Sequence, residues 1–169
     1  AFAVPSLVRL ADSTHRVVGV VTQPDRPRGR GQKVSASAVK VAAVERGIEV
    51  LQPAGRLGEP EALAAIRALE PDLAVVAAYG RLLPQAMLDL PRLGSINVHA
   101  SLLPRWRGAA PIHRAVMAGD TVTGVTIMRV ILALDAGPML ARASVDIGPD
   151  ETSEELDARL AAIGADLLI

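Results

Sequence analysis

Residues 94–112, GSINVHASLLPRWRGAAPI, hold the reading on which the fold turns. Ser95, Ile96, Asn97, Val98 and His99 make a short apolar strand, followed by a loop and a helix start at Pro111. Side chains alternate faces along a strand, so Asn97 and His99 share one side while Ile96, Val98 and Ala100 share the other. An amide beside an imidazole at a strand end suits a reaction centre. The amide can donate to a developing oxyanion, and the imidazole can donate or move a proton near neutral pH. An isolated Asn-x-His is weak evidence, because a histidine beside an apolar strand is more often a structural residue.

The same strand, loop and helix order recurs in both directions. Upstream, residues 4–11 read as a helix with Pro5 in its first turn, where the missing N–H costs little. Residues 15–21, HRVVGVV, form a β-branched run expected of a buried parallel strand. Residues 36–46 read as a helix stopped by Gly47, residues 48–51 as a strand and residues 60–69 as a helix. Residues 72–78 make a strand broken by Tyr79 and Gly80, and residues 84–88 a short helix. Downstream, residues 111–118 continue as a helix. Residues 124–130 and 139–145 read as strands around the turn Leu134-Asp135-Ala136-Gly137-Pro138. The last helix, residues 152–168, opens with Thr152 and Glu155 in capping-box spacing. This alternation predicts an α/β domain with a largely parallel sheet flanked by helices. No GxGxxG follows a strand, so a dinucleotide fingerprint is missing.

The length of 169 residues suits one domain, and half of the residues are hydrophobic. Only Phe2, Tyr79 and Trp106 are aromatic, so aliphatic side chains must fill the core. No apolar run approaches the roughly 18 residues of a membrane span, and no membrane association is expected. The lack of cysteine excludes disulfides and thiolate metal sites and fits a cytoplasmic protein. His15, His99 and His113 are not paired with carboxylates at metal-ligand spacing, so no metal is expected.

Net charge is zero but unevenly spread. Residues 1–56 carry nine Lys and Arg against four Asp and Glu, and the remainder nine against fourteen. A neutral total argues against a general nucleic-acid binder, while the split leaves room for a local anionic contact. The basic excess peaks in residues 22–35, TQPDRPRGRGQKVS, where Arg26, Arg28, Arg30 and Lys33 stand against the one acid Asp25. Its Pro and Gly punctuation predicts a long loop without regular structure. Guanidinium forks there would grip a phosphate backbone, and a solvated surface loop is the plainer alternative.

INVHASLLPRWRGAAPI, with AGDTVTGVTIM and LDAGPML after it and VVGVVTQPDRPRGRGQK and PDLAVVAAYGRLLP before it, closely resembles the catalytic domain of the methionyl-tRNA formyltransferases. The resemblance covers essentially the whole chain and implies a Rossmann-like formyltransferase fold. It implies formyl transfer from 10-formyltetrahydrofolate, a folate co-substrate, to the methionine amine of initiator methionyl-tRNA. Asn97 and His99 would stabilise the oxyanion, and Asp135, 36 residues after His99 in Leu-Asp-x-Gly, would hold His99 and help to move protons. Without the resemblance Asp135 is an ordinary turn aspartate. Ser101, Leu102, Leu103 and Pro104 match the family's folate-contacting segment, a plausible apolar wall for a pterin, and Tyr79, Gly80, Leu82 and Leu83 would line the same pocket. Arg26, Arg28, Arg30 and Lys33 correspond to the family's insertion toward the tRNA acceptor end, with Arg30 the best single candidate. Arg105 and Arg107 could add phosphate contacts.

Some features depart from the family pattern. The family often has Leu-Asp-Thr-Gly-Asp where this chain has Leu-Asp-Ala-Gly-Pro, a form also found among relatives of the purine pathway. The family's opening strand and C-terminal β-barrel are not in residues 1–169, which read as an incomplete catalytic domain cut at both ends and poorly stable alone. A monomer is expected. The rival readings are a formyltransferase acting on a small amine, such as glycinamide ribonucleotide or an amino sugar, and a catalytically idle fold that binds folate or RNA. The basic loop and PRWRGAAPI favour the tRNA-directed branch, and intact Asn97, His99 and Asp135 disfavour an idle fold.

Overall fold

The computed structural model describes residues 2–28 and 33–169. In chain order its elements are α1 (Ala3–Ala11), β1 (Val20–Val21), β2 (Arg26–Arg28), β3 (Lys33–Ser35), α2 (Ala38–Glu45), β4 (Val50–Leu51), α3 (Pro60–Ala68), β5 (Ala74–Ala77), α4 (Gln85–Leu88), β6 (Ser95–His99), α5 (Pro111–Met117), β7 (Val122–Arg129), β8 (Met139–Asp146) and α6 (Ser153–Leu167). Helices and strands alternate as expected for an α/β fold. Local chemistry sets several ends. Ser37 caps α2 by accepting from the Lys40 amide at 3.2 Å, and Gly47 follows with φ +66°. Thr152 and Glu155 complete a reciprocal capping box at α6.

The strands fall into three ladders. β1 and β4 pair in parallel over two residues, and β5–β6–β7–β8 form a four-stranded sheet. Within that sheet β5–β6 is parallel, while β7 and β8 join antiparallel, as happens at the edge of mixed α/β sheets. The third ladder corrects a reading of residues 22–35 as irregular. β2 and β3 form an antiparallel ribbon with Arg26 opposite Ser35 and Arg28 opposite Lys33. Pro27 is tolerated because a two-stranded ribbon leaves one side of each strand without a ladder. A second correction concerns residues 15–21, of which only Val20 and Val21 pair. Their one ladder partner among the described residues, β4, is itself two residues long, and β propensity alone does not make a ladder.

The main core lies on the face of β6 and β7 away from Asn97. Ile96, Val98, Val125 and Ile127 pack there against Leu156, Leu160 and Ala161 of α6, with Phe2 and Ile112 closing the ends. The helix comes so close that a Cβ on Gly164 would sit 2.7 Å from Val98 Cγ1. Leu156 and Leu160 are fully buried, and truncating either to alanine costs about 2–5 kcal/mol. Two smaller clusters serve the other half. Leu7, Ala42 and Ala43 join α1 to α2, and Leu57, Ile66 and Met87 gather under Leu51, Leu83 and Val21. Docking α6 on one face of β6 therefore leaves the other face, with Asn97, free to line a cavity.

Candidate active site

Strand register brings the first site residues together. Val76 of β5 and Met128 of β7 lie directly opposite Asn97 of β6, so all three share one face, and all three line one groove of about 1160 Å³. The groove opens near the C-terminal ends of the parallel pair β5 and β6, the usual ligand position in such sheets. A bulge between Ile127 and Met128 bends β7 beside Asn97. Ala54 to Glu59, Arg81 to Pro84, and Ile131, Leu132, Leu134 and Asp135 supply the other walls. Leu82, Ile131, Leu132 and Leu134 are exposed, which gives the mouth an apolar rim suited to a flat heteroaromatic ligand.

Asp135 is delivered by the turn between β7 and β8. The Arg129 amide donates to the Pro138 carbonyl at 2.9 Å, closing that turn. Gly137 runs so close to the Arg129 carbonyl that any Cβ would overlap it. Asp135 itself has φ +44°, a left-handed conformation that aspartate tolerates better than most residues. Its Oδ2 accepts the Gly108 amide at 2.7 Å and stands 3.8 Å from His99 Nδ1, an ion-pair distance longer than a hydrogen bond.

His99 is buried, and its ring is oriented from the opposite side. Nε2 lies 2.8 Å from the Trp106 carbonyl oxygen, which also accepts the Ser101 hydroxyl at 3.0 Å. A carbonyl can only accept, so Nε2 carries a hydrogen and Nδ1 is the nitrogen that faces Asp135. Asn97 and Asp135 line the groove and His99 is held beside Asp135. An amide donor, a positioned imidazole and a carboxylate can together stabilise a developing oxyanion and pass a proton.

The remaining expected residues divide. Leu82 and Leu83 line the groove, whereas Tyr79 and Gly80 do not. Tyr79 instead accepts Gln23 Nε2 through its backbone carbonyl at 2.8 Å, and partial burial pushes its phenol above the usual range. Ser101, Leu102, Leu103 and Pro104 do not wall the groove. Ser101 and Leu103 are buried inside, with Thr126 of β7 donating to the Ser101 carbonyl at 2.7 Å and accepting the Leu103 amide at 3.2 Å. Ser101 and Leu103 turn inward because their backbone groups find partners on β7, while Leu102 is half-buried and Pro104 exposed. Arg105 donates to Asp120 at 2.7 Å and stacks 4.4 Å from the Trp106 ring centroid, so it is engaged within the loop. Arg107 is exposed. Arg26, Arg28 and Lys33 fall on β2 and β3 by backbone, and Arg30 lies outside the described residues.

Sequence reading missed the wall from Ala54 to Glu59, Arg81 and the apolar rim at Ile131 and Leu132. The Pro and Gly content of residues 53–58 marks a loop but says nothing of where it docks. It also missed the root of the basic ribbon. Lys40 Nζ donates to Asp25 Oδ2 and to Gln52 Oε1, each at 2.6 Å, and Gln52 Nε2 donates to Asp25 Oδ1 at 2.8 Å. The hydrogen bond from Lys40, then that from Gln52, holds the Asp25 carboxyl below the ordinary carboxylate range.

Comparison with known proteins gives one consistent result. A family model described as Formyl transferase matches residues 2–169. Methionyl-tRNA formyltransferase of Methylococcus capsulatus is 56% identical over 168 residues, covering 99% of this chain and 54% of the relative. That of Xanthomonas campestris pv. campestris is 58% identical over 167 residues, covering 99% and 54%. The chain thus spans about half the length of the curated relatives it matches. Among solved structures, glycinamide ribonucleotide transformylase 1 of Symbiobacterium toebii superposes with TM-score 0.79 at 25% identity, covering 98% of this chain and 79% of that one. Phosphoribosylglycinamide formyltransferase of Brucella melitensis gives 0.75 at 29%, covering 99% and 87%.

Proposed function

The chain belongs to the formyl transferase family, and from that premise we propose that it is the catalytic region of an enzyme acting on initiator methionyl-tRNA. The reaction moves a formyl group from 10-formyltetrahydrofolate to the methionine amine, giving N-formylmethionyl-tRNA for translation initiation. The enzyme works in the cytoplasm as a monomer. Among the described residues no helix is long and apolar enough to cross a membrane.

One observation carries the reading: Asn97 and Asp135 line a single groove, with His99 Nδ1 3.8 Å from Asp135 Oδ2. The folate donor supplies an activated formyl carbonyl. Asn97 donates its side-chain N–H to the oxygen as charge gathers there, a contact worth about 10²–10³ in rate. Asp135 steadies the Nδ1 side of His99, and the pair takes the proton leaving the attacking amine and returns one to the departing folate nitrogen. The apolar rim of Leu82, Ile131, Leu132 and Leu134 suits the pterin. Arg26, Arg28, Arg30 and Lys33 supply the cationic reach toward the acceptor end of the tRNA.

Identity of 52–58% to methionyl-tRNA formyltransferases supports the tRNA substrate over that of the more distant glycinamide ribonucleotide transformylase. The test is formyl transfer by the complete protein, offered charged initiator tRNA or glycinamide ribonucleotide, beside a His99→Ala variant. Formylated methionyl-tRNA that disappears with the substitution is expected. Transfer to the small amine alone would overturn the substrate assignment.

A further inference from the structure

The loop of residues 100–110 touches both sides of the candidate centre, because Trp106 presents its carbonyl to His99 and Gly108 presents its amide to Asp135. That loop is fixed at two places. Near its start Thr126, fully buried, bonds the Ser101 carbonyl and the Leu103 amide. Near its end Asp120, just beyond α5, accepts Trp106 Nε1 at 2.8 Å on one carboxylate oxygen and Arg105 at 2.7 Å on the other. The carboxylate thus holds the side chain of the residue whose carbonyl orients His99.

Two acceptors compete for the single hydrogen of a neutral His99 ring. The Trp106 carbonyl stands at hydrogen-bond distance from Nε2, and the Asp135 carboxylate at 3.8 Å from Nδ1. Resting on the formyl-transfer reading above, we propose that Asp120 and the Trp106 indole are positioning residues that keep His99 in its Nε2–H tautomer. Nδ1, toward Asp135, then remains the proton-exchanging atom. Neither Asp120 nor the indole lines the groove; both act through the Trp106 carbonyl. When the clamp is lost, the carbonyl drifts and the hydrogen moves to Nδ1 to meet Asp135. His99 then already carries its proton on Nδ1, the atom at which it must accept one.

The experiment uses the complete protein with ¹⁵N-labelled histidine, at a pH where the His99 ring is neutral, and compares wild type, Asp120→Ala, Asp120→Asn and Trp106→Phe. Nitrogen shifts of His99, assigned with His99→Ala, report the tautomer directly. The wild type is expected to carry Nε2–H, with a marked Nδ1–H population in Asp120→Ala and Trp106→Phe. In the same variants kcat should fall roughly tenfold or more while KM for charged initiator tRNA stays within about twofold, as for loss of a residue that orients another. Asp120→Asn keeps one oxygen for the indole and should recover part of both readouts. Trp106→Phe removes the indole donor while keeping an aromatic ring beside Arg105, and decides the matter if Asp120→Ala does not fold. An unchanged tautomer in a folded variant, with lowered thermal stability alone, would overturn the proposal. Failure of the wild type to formylate charged tRNA would instead sink the function reading, and the nitrogen shifts would still decide whether the clamp sets the tautomer.

Discussion

The two halves of the molecule are held by different forces. Around the five-residue β6 and the eight-residue β7 and β8 the ladders are long, α6 covers one face, and Val125, Leu156 and Leu160 are fully buried. Around β1 and β4 the ladder is two residues long, and the ribbon of β2 and β3 is rooted in a polar network of Asp25, Lys40 and Gln52. The difference suits what the proposed function would ask of each half. Oxyanion stabilisation requires donors held to within about half an ångström, which packed strands provide. An arm that grips a phosphate backbone needs charge and reach more than rigidity.

The largest expected effect tests that contrast at the core. Leu160→Ala should cost about 2–5 kcal/mol in denaturant unfolding, followed by amide exchange across the chain. Exchange that accelerates in β6, β7 and β8 before β1 and β4 would make the halves separable units, and uniform acceleration would merge them. Next, Asn97→Ala should lower kcat by about 10²–10³ without moving the thermal transition appreciably, because its side chain faces the groove and not α6. A comparable loss of stability would mean that the amide is structural. Thr152→Ala removes the oxygen that accepts the Glu155 amide and should cost about 1 kcal/mol in thermal unfolding.

The smallest effect belongs to the ribbon's root and depends on pH. Asp25 has its folded pKa depressed below its ordinary 3.8, chiefly by Lys40. The contribution is therefore present above that ordinary value and is lost as pH falls through the lower folded one. Thermal stability measured down the acid range should fall less steeply in Asp25→Asn than in the wild type. Identical slopes would remove Asp25 from the account.

Local signals were legible in the sequence wherever one element carried its own evidence. The alternation in Ser95–His99, the Thr152–Glu155 box and the Gly47 stop all stand where the residues indicate. Readings failed where the outcome depended on a distant partner. Residues 15–21 have the composition of a strand, yet only Val20 and Val21 find a neighbour. Residues 22–35 carry turn punctuation, yet Arg26 to Arg28 meets Lys33 to Ser35 as a ribbon. Ser101 to Pro104 shows its apolar character locally, but not that Ser101 and Leu103 bond Thr126 of β7. Asp120 gave no local sign at all, since its role lies in holding Arg105 and Trp106, fifteen and fourteen residues away.

The division of labour is tested most directly by steady-state kinetics of the complete protein with charged initiator tRNA as the varied substrate, comparing Asn97→Ala with Lys40→Met. Asn97→Ala is expected to lower kcat while KM stays near the wild-type value, and Lys40→Met to raise KM while kcat is unchanged. A Lys40→Met protein that loses kcat as Asn97→Ala does would contradict it, because the ribbon's root would then belong to the reaction centre.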